Sequence, residues 1–297
     1  MDEIARRSRG CLRSFWKAFL REDIMQLATS FRNPITIRSE RPLSDEQIIH
    51  IAPSIFARDK HYSRSGRYAY IPTSVILRGL RNEGFEPFMV CQSRVRDEGK
   101  REYTKHMIRL RHASQTSGEE ANEIILLNSH DGSSSYQMMA GMFRFVCANG
   151  MVCGDALHDV RVRHNGDALD TIIDGAYTVL DSFEEVGEQL EEMKSITLNK
   201  GEQAAFARAA LILKYDDPEK PAPISEEDLL APRRFSDRAN DMWTTFSRVQ
   251  ENLVKGGVRG RTKSGRAMTT RPVTGIDQNV KLNRVLWVLA EEMRKLK

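Results

Sequence analysis

Apolar residues recur along this chain with changing rhythm, and each change marks a change of element. Near the start, Leu12, Phe15, Trp16, Phe19, Leu20 and Ile24 fall three and four apart. That spacing predicts an amphipathic helix over residues 1 to about 32, ended by Asn33-Pro34. Ile35 to Arg38 reads as a short strand. Ser44, with Gln47 three residues on, is a capping-box pattern that opens a second helix, and Pro53 closes it. A third helix starts at Pro72-Thr73-Ser74, with Val75, Ile76, Leu77 and Leu80 on its apolar face and Gly84 just past its end.

Alternation then takes over. Phe88 to Arg96 places Met89, Cys91 and Val95 on one parity and Gln92, Arg94 and Arg96 on the other. Lys105 to Arg111 sets Ile108 and Leu110 against Lys105, Arg109 and Arg111. Ile124 to Leu127 is apolar on both faces, which predicts a central strand. Met142 to Cys147 alternates again, with Arg144 as its one charge. Asn149-Gly150 follows and predicts a two-residue hairpin turn with Met151–Cys153 as the return. Asp159 to His164 is a candidate fifth strand.

From Asp170 the helical period returns and runs through Ile172, Ala176, Val179, Phe183, Val186, Leu190 and Met193, predicting one long helix with an acidic outer face. Further helices are predicted over 201–215, 240–254 and 279–297. Between the last two, Lys255 to Gly275 holds six basic residues, five glycines and no acidic residue, and reads as a loop. The expected fold is α+β: an antiparallel β-meander of four to five strands with one basic face, packed by long helices. The expected segments are an N-terminal helical stretch (1–50), an α+β core (51–215), a Pro-rich linker (216–234) and C-terminal helices flanking the basic loop (235–297).

Composition adds limits. The 297 residues are 40% hydrophobic and 29% charged, enough apolar content for a sizeable core. No apolar run is long enough for a membrane span, and the N-terminus lacks a secretory h-region, so a cytoplasmic protein is expected. Cys11, Cys91, Cys147 and Cys153 are expected as reduced thiols, and no second pair of ligands accompanies them, so neither metal nor cofactor is expected. Net charge of +4 permits a polyanionic partner.

The candidate chemistry lies in the basic strand parities. If the apolar parities form one buried face, the other face collects Arg94, Arg96, Lys105, Arg109, Arg111 and Arg144, and a phosphate backbone is the natural counter-charge. Lys255, Arg259, Arg261, Lys263 and Arg266 form an auxiliary basic loop without an aromatic residue. Base-stacking groups are sought in Tyr62, Tyr68, Tyr70 and Tyr103. The competing explanation is an ordinary solvated strand face, since Glu98, Glu102, Glu119, Glu120 and Glu123 lie nearby. His130-Asp131 and His158-Asp159 raise a nuclease alternative, but neighbouring strand residues face opposite ways and do not make a chelate by themselves.

Several segments together resemble one family. They are Ala52 to Ala57, Tyr68 through Ile71-Pro72-Thr73, Gly84-Phe85, Arg109 to His112, and Phe143-Arg-Phe-Val-Cys-Ala-Asn-Gly-Met151. They look like the DUF932 family, over about residues 45–290, and the resemblance implies a protein borne by bacterial phages, prophages or plasmids. The meander with a basic face is also similar in outline to Rad52-type single-strand annealing proteins, with no shared motif. The expected function is therefore single-stranded DNA binding and annealing in mobile-element recombination, carried out by a homo-oligomer. A counter-defence or host-protein-binding module and a metal-dependent nuclease are the alternatives.

Overall fold

A computed structural model describes residues 35–297 apart from 65–69, 96, 114–118, 155–158 and 163–167. The N-terminal helix expected over 1–32 lies outside the described residues. The described part begins with β1 (Ile35–Arg38), α1 (Asp45–Ile51) and α2 (Thr73–Asn82). The capping box forms as expected, with the Ser44 hydroxyl accepting from the Gln47 amide and the Gln47 side chain accepting from the Ser44 amide. Gly84 takes a positive φ of 85° just past the end of α2.

The sheet is an antiparallel meander, β1-β2-β3-β4-β5-β6 in chain order. Its strands are β2 (Phe85–Gln92), β3 (His106–His112), β4 (Glu120–Asn128), β5 (Tyr136–Arg144) and β6 (Asn149–Val152). A seventh strand, β7 (Val160–Val162), pairs with the first half of β5, on Tyr136, Gln137 and Met138. The meander is as expected, with seven strands in place of four to five.

One face is the main core. Val90, Ile108, Leu110, Ile124, Leu126, Met138 and Ala140 pack there against α1, α2 and α3 (Ala168–Asp181). The other face is also covered. Met89, Cys91, Met107, Ile125, Leu127, Met139 and Val152 meet Ile276 and Val280 from the start of α8 (Ile276–Lys295). A sheet buried on both sides has no room for an open row of cations, and this sets the fate of the basic parity.

Three local expectations are corrected. Strand β5 starts at Tyr136 and stops at Arg144, because Phe145–Cys147 form a 3-10 turn. The chain reverses at Ala148, which adopts the left-handed conformation (φ 47°), so Asn149-Gly150 is the first half of β6 and not the hairpin turn. The long helix from Asp170 is broken at Ser182 into α3 and α4 (Phe183–Ser195). The break lets α3 cover the sheet while α4 turns its Val186, Leu190 and Met193 to a second core.

That second core joins α4, α5 (Lys200–Lys214), α6 (Glu226–Leu230), α7 (Met242–Lys255) and α8 around Trp243, Phe246 and Trp287. The α7 helix is buried from Met242 through Val254, polar residues included. The proline-rich stretch carries α6, whose Leu229 is fully buried. Residues 34–297 cluster as one compact unit. Among the described residues no helix is long and apolar enough to cross a membrane.

Candidate nucleic-acid interface

Of the six cations expected on the sheet face, the five that are described do not form an open groove. Arg109 and Arg111 are each 2% exposed, and both are bonded to Glu123, which is fully buried. Arg109 Nη1 donates to Glu123 Oε2 at 2.9 Å and to the Met151 carbonyl at 3.1 Å. Arg111 donates from Nε and Nη2 to Glu123 Oε1 at 3.1 and 2.9 Å. Its guanidinium also sits 4.3 Å from the centre of the Phe88 ring and 4.6 Å from that of Phe143. Arginine in such surroundings is neutralised by a carboxylate and aromatic faces and is part of the core.

The remaining members scatter. Arg144 is buried and bonds Asp237 at 2.9 Å, with Glu120 3.8 Å away. Lys105 pairs with Asp277 at the start of α8 at 2.8 Å. Arg94 is exposed, and Arg96 lies outside the described residues. The expectation of a basic sheet face is thus corrected. Alternation placed the charges on one side, but the α8 contact and the matching parity of Glu123 on β4 turn that side into an interior.

Gly150 belongs to the same cluster. A Cβ there would lie 2.7 Å from Arg109 Cζ and 3.1 Å from Arg38 Nη2. The glycine is needed because two guanidiniums pass over its backbone, and not for the turn that the Asn-Gly pair suggested.

The auxiliary loop fares differently. It is a two-stranded hairpin, β8 (Arg259–Arg261) and β9 (Ala267–Thr269), with Arg259 opposite Thr269 and Arg261 opposite Ala267. Its turn closes with the Thr262 amide donating to the Arg266 carbonyl and the Gly265 amide donating to the Thr262 carbonyl. The base is fixed at several points. The Val273 amide donates to the Val254 carbonyl, the Gly257 amide to the Thr270 carbonyl, and the Arg261 amide to the Pro223 carbonyl. Gly260 allows the last contact, since a Cβ there would fall 2.1 Å from the Pro223 oxygen. The stretch expected to be a loop is therefore an anchored ribbon.

Its cations face water. Arg259, Arg261, Lys263, Arg266 and Arg271 are all exposed, and none forms an ion pair with a carboxylate among the described residues. Lys255, at the root, is instead held by Glu251 at 3.0 Å and by the Cys147 carbonyl. One residue was missed from the sequence. Phe235 is 80% exposed, with the Arg238 guanidinium 5.0 Å from its ring centre. Its segment is tied to the root of the hairpin, because Arg233 donates to the Gly256 carbonyl and to Asn252. The run Arg233-Arg234-Phe235, at the end of the proline-rich stretch, is its signal in the sequence.

The tyrosines and the catalytic candidates go elsewhere. Tyr62 is exposed and its ring lies tilted against His61, centres 4.2 Å apart, whereas Tyr70 packs on His130 and Tyr103 on His61; Tyr68 lies outside the described residues. His130 is buried, within 3.2 Å of the Thr73 hydroxyl. The same hydroxyl lies 3.0 Å from His106 Nε2, accepts from Asn128 at 3.0 Å and sits 3.1 Å from the Tyr136 hydroxyl. Asp131 accepts from the Ser133 amide in the adjoining turn, so the His130-Asp131 pair is divided between core and surface. His158 lies outside the described residues. Burial pushes the Cys91 and Cys153 thiols up to about 12 and raises that of Cys147, which opposes thiolate chemistry. No group of three or more His, Cys, Asp or Glu that could hold a metal occurs among the described residues.

The comparisons with known proteins agree on a family. The domain family described as "Domain of unknown function (DUF932)" matches residues 60–287. The chain is 51% identical over 268 residues to the UPF0380 protein YafZ of Escherichia coli (strain K12), covering 90% of this chain and 97% of that protein. It is 52% identical over 268 residues to the UPF0380 protein YfjQ of the same organism, with the same coverage. No solved structure matches, so the outline likeness to Rad52-type annealing proteins gains no support. The chain belongs to the DUF932 family.

Proposed function

We propose that this DUF932 protein binds single-stranded nucleic acid through the β8–β9 hairpin, with DNA the favoured strand. The observation that supports this reading is the set of four exposed cations on an anchored ribbon, with Arg271 just after it, none paired with a carboxylate among the described residues, within a segment free of acidic residues. Such a surface attracts a phosphate backbone and reads no sequence. Phe235 beside it offers a ring for an unpaired base, the usual companion of a basic track in single-strand binders. A strand held by its phosphates leaves base edges free to find a complement. Annealing by a homo-oligomer, in the cytoplasm of a bacterium carrying a phage or plasmid element, is the activity proposed to follow.

The test is fluorescence anisotropy of labelled oligo-dT over a salt series. For single strands each phosphate contact contributes about −0.7 to the slope of log K against log salt. Replacing Arg259, Arg261, Lys263 and Arg266 by Ala should lower affinity at low salt and flatten the slope by roughly 2 to 3. Phe235→Ala should weaken oligo-dT more than duplex of equal length. If the unmodified protein shows no binding at low salt, the reading is wrong, and the hairpin is better sought as a contact for an acidic protein partner.

A further inference from the structure

Helix α5 is apolar on both of its sides. The inner side, Phe206, Ala207, Ala210 and Leu211, belongs to the second core. The outer side runs Gly201, Ala205, Arg208 and Ile212, at steps of four, three and four, and all of these are exposed. Ile212 keeps 62% of its surface and the adjoining Leu213 keeps 43%. Between Glu202 and Lys214 the helix carries a single charge, Arg208, which is bonded to Glu226 at 2.8 Å. A helix that is apolar all round is normally buried all round. The neighbouring helices obey that rule. α7 is buried from Met242 through Val254, and α4 turns Glu184, Glu188 and Glu191 to solvent. α5 departs from it, with Ile and Leu where a water-facing helix carries Lys and Glu.

The two ends of the outer stripe carry opposite charges. Lys200 opens α5, is exposed and forms no ion pair among the described residues. Asp216, two residues past the last turn, is exposed and forms none either. The adjacent charges are already matched, since Glu202 holds Lys297 and Asp217 holds Lys220 at 3.0 Å. Lys200 and Asp216 also stand at the wrong ends for the helix dipole, which favours anions at the N-terminus and cations at the C-terminus. An antiparallel partner helix corrects both, because it brings each charge to the end of a helix that attracts it.

We infer that the outer face of α5 is a two-fold contact between two copies of this chain, with their α5 helices packed antiparallel. A two-fold interface must complement itself, and this face does so in shape and in charge. With Gly201 opposite Ile212 of the second copy, the glycine leaves room for the larger side chain, and the same contact repeats at the other end. Ala205 then lies opposite Arg208 of the second copy, whose stem packs on the small residue while its charge stays with Glu226. Lys200 falls about one helical turn, roughly 4.5 Å along the axis, from Asp216 of the second copy, within reach of a lysine stem. The centre is thus apolar and the charges sit at the rim, the usual order in an interface. No residue of the β8–β9 hairpin takes part, so the contact holds or fails independently of strand binding.

The test is sedimentation velocity of the full chain over a dilution series, without nucleic acid. Wild type should show a reversible step from one copy to two. Ile212→Glu puts two unpaired carboxylates into the contact and should weaken association roughly a hundredfold. The residue faces water in the single copy, so an unchanged Tm below the association range should show that the fold is intact. Lys200→Glu alone, and Asp216→Lys alone, should each weaken association about three- to tenfold. The double variant restores opposite charges across the two-fold and should recover wild-type association, which a loss of local helix stability would not do. Replacing the hairpin cations by Ala should leave the association unchanged. The inference is overturned if wild type stays a single copy up to about 100 μM, which assigns the face to a different protein. It is equally overturned if Ile212→Glu associates as wild type does, or if the charge-swapped double variant fails to recover.

Discussion

Glu123→Gln is the sharpest perturbation of the sheet interior. Glu123 accepts hydrogen bonds at 2.9, 3.1 and 2.9 Å from two buried arginines. Glutamine has nearly the same shape, but it brings no charge and turns an NH2 group toward a guanidinium. Removing one partner of a buried pair costs about 3–5 kcal/mol, because the other charge is left uncompensated. Here Arg109 and Arg111 are both stranded, with Arg38 close by, so the expected loss is at the upper end, about 5 kcal/mol. Against a typical stability of about 5–15 kcal/mol this should lower Tm by roughly 10–20 °C. Urea unfolding followed by the fluorescence of the buried Trp243 and Trp287 measures it. Arg111→Met in the same background should recover part of the loss, with a coupling of about 1–3 kcal/mol in the double-mutant cycle. A loss under 1 kcal/mol with no coupling to Arg111 would refute the placement of these groups in a closed interior.

Further expectations follow from single contacts. Gly150→Ala puts a methyl 2.7 Å from the Arg109 guanidinium and should cost about 1–3 kcal/mol in a urea titration, although the residue is not in a turn. Gly260→Ala collides with the Pro223 carbonyl at 2.1 Å and should free the hairpin without changing its charge; faster tryptic cleavage near Arg259–Lys263 would report it. Burial lowers Lys214 to about 8, below its unfolded value, so the unfolded chain binds more protons from about pH 8 to 10.5 and stability should rise with pH across that window. Lys214→Met should flatten the rise, which amounts to about 1–2 kcal/mol after allowance for partial solvent access. In a Cys11→Ser background, Ellman's reagent should react slowly with the native protein and fully after denaturation, since Cys91, Cys147 and Cys153 are buried.

Local rules carried much of the architecture. Alternation at β2 and β3, the apolar run of β4, the Ser44 capping box, the Gly84 stop and the long helices α5, α7 and α8 were legible from residue type and spacing, whereas α6 lay hidden in the proline-rich stretch. These depend on backbone preferences and on which side chains repeat on one face, and both act within a few residues. The Asn-Gly pair shows where such rules end. Its turn preference is real, but the guanidiniums of Arg109 and Arg38, distant in the chain, claim Gly150 for their own packing, and Ala148 takes the left-handed position instead.

The candidate site divides along the same line. The acid-free run from Lys255 to Gly275 declared its cations directly, because beyond Lys255 no carboxylate among the described residues pairs with them. The sheet cations were legible as a face but not as an interior. Whether a strand face meets water or protein is decided by a helix more than a hundred residues later, α8, and by a carboxylate on the next strand. Charge on a strand indicates the side it points to, and only long-range packing determines what waits there.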